Sequence, residues 1–175
     1  MVGTPLDIMT GIRGVQLLVK GYNGYSKGSR IENDRLVREE IARAASRVRS
    51  HMQTVFDTQF REGNLDLARP AKRCIEECNY LIEDVNKASS GMEHAFLSGQ
   101  RSPSNKDLKK LIKHDHEVIE MVTKAVNLAN SSEHSIATGE GDPRQLIMET
   151  NQKVTSCRGF FGVRMNILSG LKTKK

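Results

Sequence analysis

The stretch Val37–Val55, VREEIARAASRVRSHMQTV, decides the fold. Its apolar residues Val37, Ile41, Ala45, Val48, Met52 and Val55 recur at steps of three and four. Those steps bring side chains to one face of an α-helix and would scatter them across both faces of a strand. The same period appears at Ile8, Ile12, Val15, Val19 and Tyr22, at Cys74, Cys78, Leu81, Val85, Ala88 and Met92, and at Leu108, Ile112, Ile119, Val122, Val126 and Ala129. A seam that restarts this often, with no convincing strand between, predicts an all-α protein with coiled-coil-like packing.

Punctuation divides the chain. Gly21–Gly28, Gly63-Asn64, Gly99–Asn105 and Gly139–Pro143 separate the seams. Ser29-x-x-Glu32 has the form of a capping box, and Asp142-Pro143 pairs a good N-cap with a proline whose missing amide costs nothing at the first helical position. Ser104-x-x-Asp107 has a similar capping form. Helices are expected over 6–25, 29–62, 66–98, 105–137 and 143–171, each of the middle three about 50 Å long. Short connections between long helices favour antiparallel neighbours. The expected architecture is therefore one domain, 1–175: an N-terminal helix and Gly-rich turn (1–28), an up-down bundle of four long antiparallel helices (29–171), and a basic tail (172–175). Asn23-Gly24 is also a hairpin turn signal, but the returning arm has little to bury, so helix is preferred over a strand at 15–22. Gly159 and Gly162 are expected to kink or break the last helix. Gly14, Gly21 and Gly28, seven apart, could admit a close backbone approach; the plainer reading leaves Gly21 and Gly28 in a loop.

The chain has 175 residues, three cysteines, no Trp and a net charge of +6. Such a length suits one domain. No run approaches a membrane span, and the first residues do not form a secretory signal. No membrane is expected as a partner. An odd cysteine count in a mid-sized chain favours reduced thiols and a cytoplasmic location. Lys and Arg exceed acids most in residues 1–63 and 140–175, which permits an anionic partner.

Chemistry-bearing patterns are few. Cys74, Cys78 and Cys157 fall on inward helix faces. With His51 they would lie about 12–21 Å along their helices. Three thiols and an imidazole make a tetrahedral zinc set. Cys74 and Cys78 lack the C-x2-C spacing, and a buried thiol more often packs as a small hydrophobe. No cofactor is therefore expected, with zinc the one candidate. In His114-Asp-His-Glu117, His114 and His116 point about 200° apart, so the segment reads as a solvated charged face. His94 invites comparison with a phosphotransfer histidine but has no cation nearby. No Walker loop, dinucleotide fingerprint or nameable acid–base pair is present.

Arg35, Arg38, Arg43, Arg47 and Arg49 crowd the second helix, and Arg158, Arg164, Lys172, Lys174 and Lys175 could join them in one nucleic-acid-binding patch. Four acids lie among the six arginines from Arg30 to Arg49, which favours a salt-bridged surface instead. Phe160 and Phe161 point about 100° apart on a helix, so one core stripe does not readily bury both. At least one ring is expected to pack against the first helix or a second subunit. The leading expectation is a non-enzymatic interaction or scaffold protein that forms homo-oligomers or binds another helical protein. Nucleic-acid binding and a metal-bound bundle are the alternatives.

Overall fold

A computed structural model describes residues 8–25, 29–97 and 105–170. Five helices cover most of them: α1 (Ile8–Gln16), α2 (Arg30–Arg61), α3 (Leu65–Leu97), α4 (Asn105–Thr138) and α5 (Pro143–Gly170). There is no strand among the described residues. The all-α expectation holds, with four of the helices long.

The seams form the core. Val37, Ile41, Ala45, Val48, Met52 and Val55 of α2 are buried, as are Cys74, Cys78, Leu81, Val85 and Ala88 of α3. So are Ile112, Ile119, Val122, Val126 and Ala129 of α4, and Ile147, Val154, Cys157 and Phe161 of α5. Each helix thus turns one apolar stripe inward, and burial of that stripe supplies most of its stability.

The helix ends follow local rules with one exception. After α2, Gly63 adopts φ +75°, its amide donates to the Phe60 carbonyl (3.1 Å), and Asn64 N donates to Gln59 (2.9 Å). These bonds close the helix by wrapping its last carbonyls. At the start of α5, Gln145 N donates to Asp142 Oδ1 at 3.0 Å and Pro143 is the first helical residue, as expected. The exception is α2. Ser29 makes no side-chain cap bond, and Glu32 pairs with Arg35 instead. Asn33 replaces the capping box: its Nδ2 donates to the Ser29 carbonyl (2.6 Å) and its Oδ1 accepts from Asn23 N (2.7 Å). One buried amide therefore ties the start of α2 to the preceding loop. The parallel cap at Ser104 lies outside the described residues.

The neighbours differ from a simple meander. Three residues reverse the chain between α2 and α3, and four between α4 and α5. The most extensive contacts are within these two hairpins, followed by α3 on α5 and α2 on α4. Around the bundle the order is α2, α3, α5, α4, so α3 and α4, successive in sequence, face each other across a diagonal. Helices α2 and α4 run in the same sense: Asp34 and Asp115 share one arginine near one end, and His51 meets Glu133 further along both.

The N-terminal segment corrects the expected helix 6–25. Helix α1 stops at Gln16, and residues 17–25 form turns, neither helix nor hairpin. Gly21 (φ +88°) and Gly24 (φ +68°) take left-handed conformations that end regular structure. The buried set Val15, Val19 and Tyr22 persists without the helix, and Tyr22 and Tyr25 meet edge to face, 5.9 Å between centroids. Helix α1 lies on α4. A Cβ at Gly11 would stand 3.2 Å from Ile112, and one at Gly14 2.5 Å from the His116 ring. The close approach is thus made by Gly11 and Gly14, while Gly21 belongs to the turn. At the other end of the chain, α5 runs helical through Gly159 and Gly162 without the expected break.

Candidate functional site: a buried ion network beneath the N-terminal segment

Three seams place a charged residue where an apolar one would continue the stripe. On α4, Asp115 stands between Ile112 and Ile119, three and four residues from each. On α5, the steps Ile147, Thr150, Val154, Cys157, Phe161 end on Arg164. On α2, Asp34 precedes Val37 by three. Such a residue must enter the core.

There they meet. Arg164 is fully buried (0%), as is Asp115 (0%). Arg164 Nε donates to Asp115 Oδ1 at 2.6 Å, while Nη2 lies 2.8 Å from Asp34 Oδ1 and donates to Tyr25 Oη at 2.8 Å. The Tyr25 hydroxyl donates in turn to Asp115 Oδ2. Asp34 Oδ2 accepts from Arg38 Nε at 2.8 Å. Two carboxylates and two guanidiniums close a neutral set that joins α2, α4, α5 and the N-terminal turn. Neutrality matters because one unpaired charge at this depth would cost several kcal/mol.

The protonation states follow from depth and neighbours. Burial opposes the Arg164 charge, but Asp115, Tyr25 and Asp34 outweigh it and hold the guanidinium protonated. Burial pushes the Asp115 carboxyl above its ordinary range, with Arg164 pulling the other way. Burial also raises Tyr25, and it raises Tyr22 with help from Asp115. The Tyr22 hydroxyl is buried beside the network without a hydrogen bond of good geometry. Chemically the set is a lock: its charges face each other, which suits it to holding the N-terminal turn in place.

Next to it, His114 and Asp115 overturn the reading of residues 114–117 as a solvated face. His114 is buried, its ring stacks on Phe160 (5.6 Å, 7° between planes), and its Nε2 donates to the Phe160 carbonyl at 2.6 Å. A carbonyl can only accept, so Nε2 carries the proton. His116 packs against Gly14. Phe161 enters the core (2% exposed), whereas Phe160 stays 37% exposed. The two rings divide between core and surface, and the Phe160 ring finds α4 in place of the first helix.

The residues of the proposed nucleic-acid patch do not all lie at the surface. Arg164 and Arg38 belong to the network. Arg35 pairs with Glu32 (2.7 Å), Arg43 with Glu40 (3.1 Å), and Arg49 donates to Asn79 (3.1 Å). Arg158 Nε donates to Asp84 at 2.6 Å, and its guanidinium lies 5.0 Å over the Tyr80 ring. Arg47 is exposed. Lys172, Lys174 and Lys175 lie outside the described residues, as does the His94 side chain.

The three cysteines are buried and none is joined in a disulfide. A hydrogen bond with Cys78 and burial raise the Cys74 thiol, and burial pushes Cys157 up to about 12, with Cys78 close enough to contribute. His51 turns instead to Glu133, its Nδ1 donating at 2.6 Å. Among the described residues no three His, Cys, Asp or Glu side chains are arranged to hold a metal ion.

No protein-family model, curated protein or solved structure matches the chain.

Proposed function

We propose that the chain is a non-enzymatic helical interaction module that self-associates through the outer face of α5. One observation carries this reading. Phe160 and Val163, one turn apart, are 37% and 49% exposed, while the adjacent Phe161 and Arg164 are buried. Helix α5 therefore presents apolar side chains to two sides: one feeds its own core, while on the other Phe160 leans on His114 of α4 and, with Val163, stays partly open among the described residues. An aromatic ring held rigid by stacking on His114 suits an interface anchor, because little rotamer freedom is lost on contact.

Light scattering and native mass spectrometry of the full chain, across concentration, test this. An oligomer is expected, and Phe160→Ser with Val163→Ser should weaken it roughly tenfold or more while circular dichroism stays helical. A protein that remains monomeric at high concentration, or a double variant that assembles unchanged, overturns the proposal.

A further inference from the structure

His114 is the titratable group stacked against the Phe160 ring. The two rings lie nearly parallel (5.6 Å between centroids, 7° between planes), and His114 Nε2 donates to the Phe160 carbonyl at 2.6 Å. One imidazole thus holds both the side chain and the backbone of the exposed residue on α5. The donation fixes the tautomer: Nε2 carries the proton and Nδ1 carries none. Nothing among the described residues hydrogen-bonds to Nδ1. His114 is 7% exposed, so only a small opening connects it to water. Histidine is the side chain whose charge ordinarily changes between about pH 5 and 8. A second proton, on Nδ1, would place a cation under the Phe160 ring.

What faces His114 decides what such a cation would meet. On α4, Lys110 precedes it by one turn and Glu117 follows by one, and Glu117 already pairs with Lys113 at 3.8 Å. Asp115 is the next residue but turns to Arg164 and Tyr25. On α5, Arg164 stands one turn beyond Phe160. From α2, Asp34 and Arg38 reach Arg164 and each other. Helix α1 meets α4 at Ile112 and His116, about 160–200° around the helix from His114, so Arg13 does not face it. Each of these carboxylates already serves a cation, and Arg164 and Lys110 have the same sign as an imidazolium. The new N–H would depend on water.

We propose that protonation of His114 releases the self-association made through the outer face of α5. This rests on the reading of that face given above. A second copy seated on Phe160 and Val163 closes the opening through which water reaches the imidazole. An imidazolium then loses hydration that it keeps in the single chain, and a charge buried without a partner is costly. Contact between the cation and the Phe160 ring is made in both states, so it does not favour either. The sign follows by linkage. The single chain binds the second proton more readily than the oligomer, so assembly is favoured while His114 is neutral and weakens as pH falls. Acidity and oligomeric state are coupled through one stacked, hydrogen-bonded ring.

The test is sedimentation velocity of the full chain at about pH 8 and about pH 5.5, which bracket the usual titration of histidine, at one ionic strength and across concentration. Association is expected to weaken roughly tenfold or more at the lower pH while circular dichroism stays helical. His114→Gln keeps an N–H donor but cannot take up the proton, and it should associate equally at both values. His134→Gln, at an exposed position, should leave the pH dependence in place. Where His114→Gln folds or assembles poorly, the parent chain still decides. By nuclear magnetic resonance, its His114 should take up a proton at lower pH in concentrated than in dilute protein. Association that is unchanged or stronger at the lower pH, an equal pH dependence in His114→Gln, or a His114 titration independent of concentration overturns the proposal. A chain that stays monomeric at every pH overturns the reading of the α5 face and the switch with it. An oligomer indifferent to pH leaves that reading standing and removes the switch alone.

Discussion

Arg164 is the residue on which four parts of the chain depend. Its guanidinium serves Asp115, Asp34 and Tyr25 together. Arg164→Met would keep much of the volume but leave two carboxylates buried without it. The expected loss is about 3–5 kcal/mol in chemical denaturation. Adding Asp115→Asn to that variant removes one of the stranded charges and should restore about 1–2 kcal/mol. If the single variant is as stable as the parent, the network is not a lock. The residues involved were visible in part. Asp115 interrupts a heptad between two isoleucines, and that spacing alone places a carboxylate in the core. It was masked by its neighbours, since His114, His116 and Glu117 give the segment a polar composition. Composition suggests a surface patch that includes Arg164 for the same reason, whereas its position on the α5 seam dictates burial.

At the scale of the helices, glycine separates two situations that look alike in sequence. On α1, a Cβ at Gly14 would stand 2.5 Å from His116. Gly14→Ala should therefore cost about 1–3 kcal/mol and loosen α1 from α4, read as faster proteolysis before residue 25. His116→Ala makes room, so the pair of substitutions should cost less than Gly14→Ala alone. On α5, Gly159 and Gly162 meet nothing within 4 Å and have ordinary helical φ. There Ala relieves the entropic cost of glycine without a clash. Each of Gly159→Ala and Gly162→Ala should raise stability by about 0.5–1 kcal/mol, measured as a higher denaturation midpoint. A destabilised variant would mean that glycine at that position serves a bend or a partner. The expected break in α5 failed because two glycines cost little against a helix whose other face is already committed to α3 and α4.

For the whole molecule, the network sets a limit at high pH. Tyr22 and Tyr25 have folded-state pKa values raised by burial above the ordinary value of 10.0. In the unfolded chain both phenols lose their protons above about pH 10. The unfolded state then binds fewer protons than the folded one, and stability falls as pH rises. Stability from this source is complete below about pH 10 and declines above it. Phenolate absorbance of these two tyrosines should appear together with loss of helical circular dichroism. Absorbance that rises fully while the helices persist would show that the phenols are open to solvent. Tyr25→Phe should shift this alkaline transition upward relative to its own neutral-pH stability.

Local sequence determined that the chain is helical, where its long helices lie and which faces they bury, because helical periodicity and turn chemistry act over a few residues. The seams from Val37 to Val55 and from Cys74 to Ala88 are buried as their spacing requires. The Asp142-Pro143 start of α5 is equally local. Partner choice among helices is not local. That α5 sits between α3 and α4, and that α2 and α4 run side by side, depend on how four similar stripes fit together. Only that arrangement brings Asp34, Asp115 and Arg164 to one point from positions up to 130 residues apart. The N-terminal turn shows the same division. Val15, Val19 and Tyr22 were marked as inward by their period, but the backbone that delivers them is set by Gly21, Gly24 and the bond from Tyr25 to Asp115. A residue's own neighbours decide whether it can turn inward; what it meets there is decided by chain segments far away, because ion pairing and packing act across space.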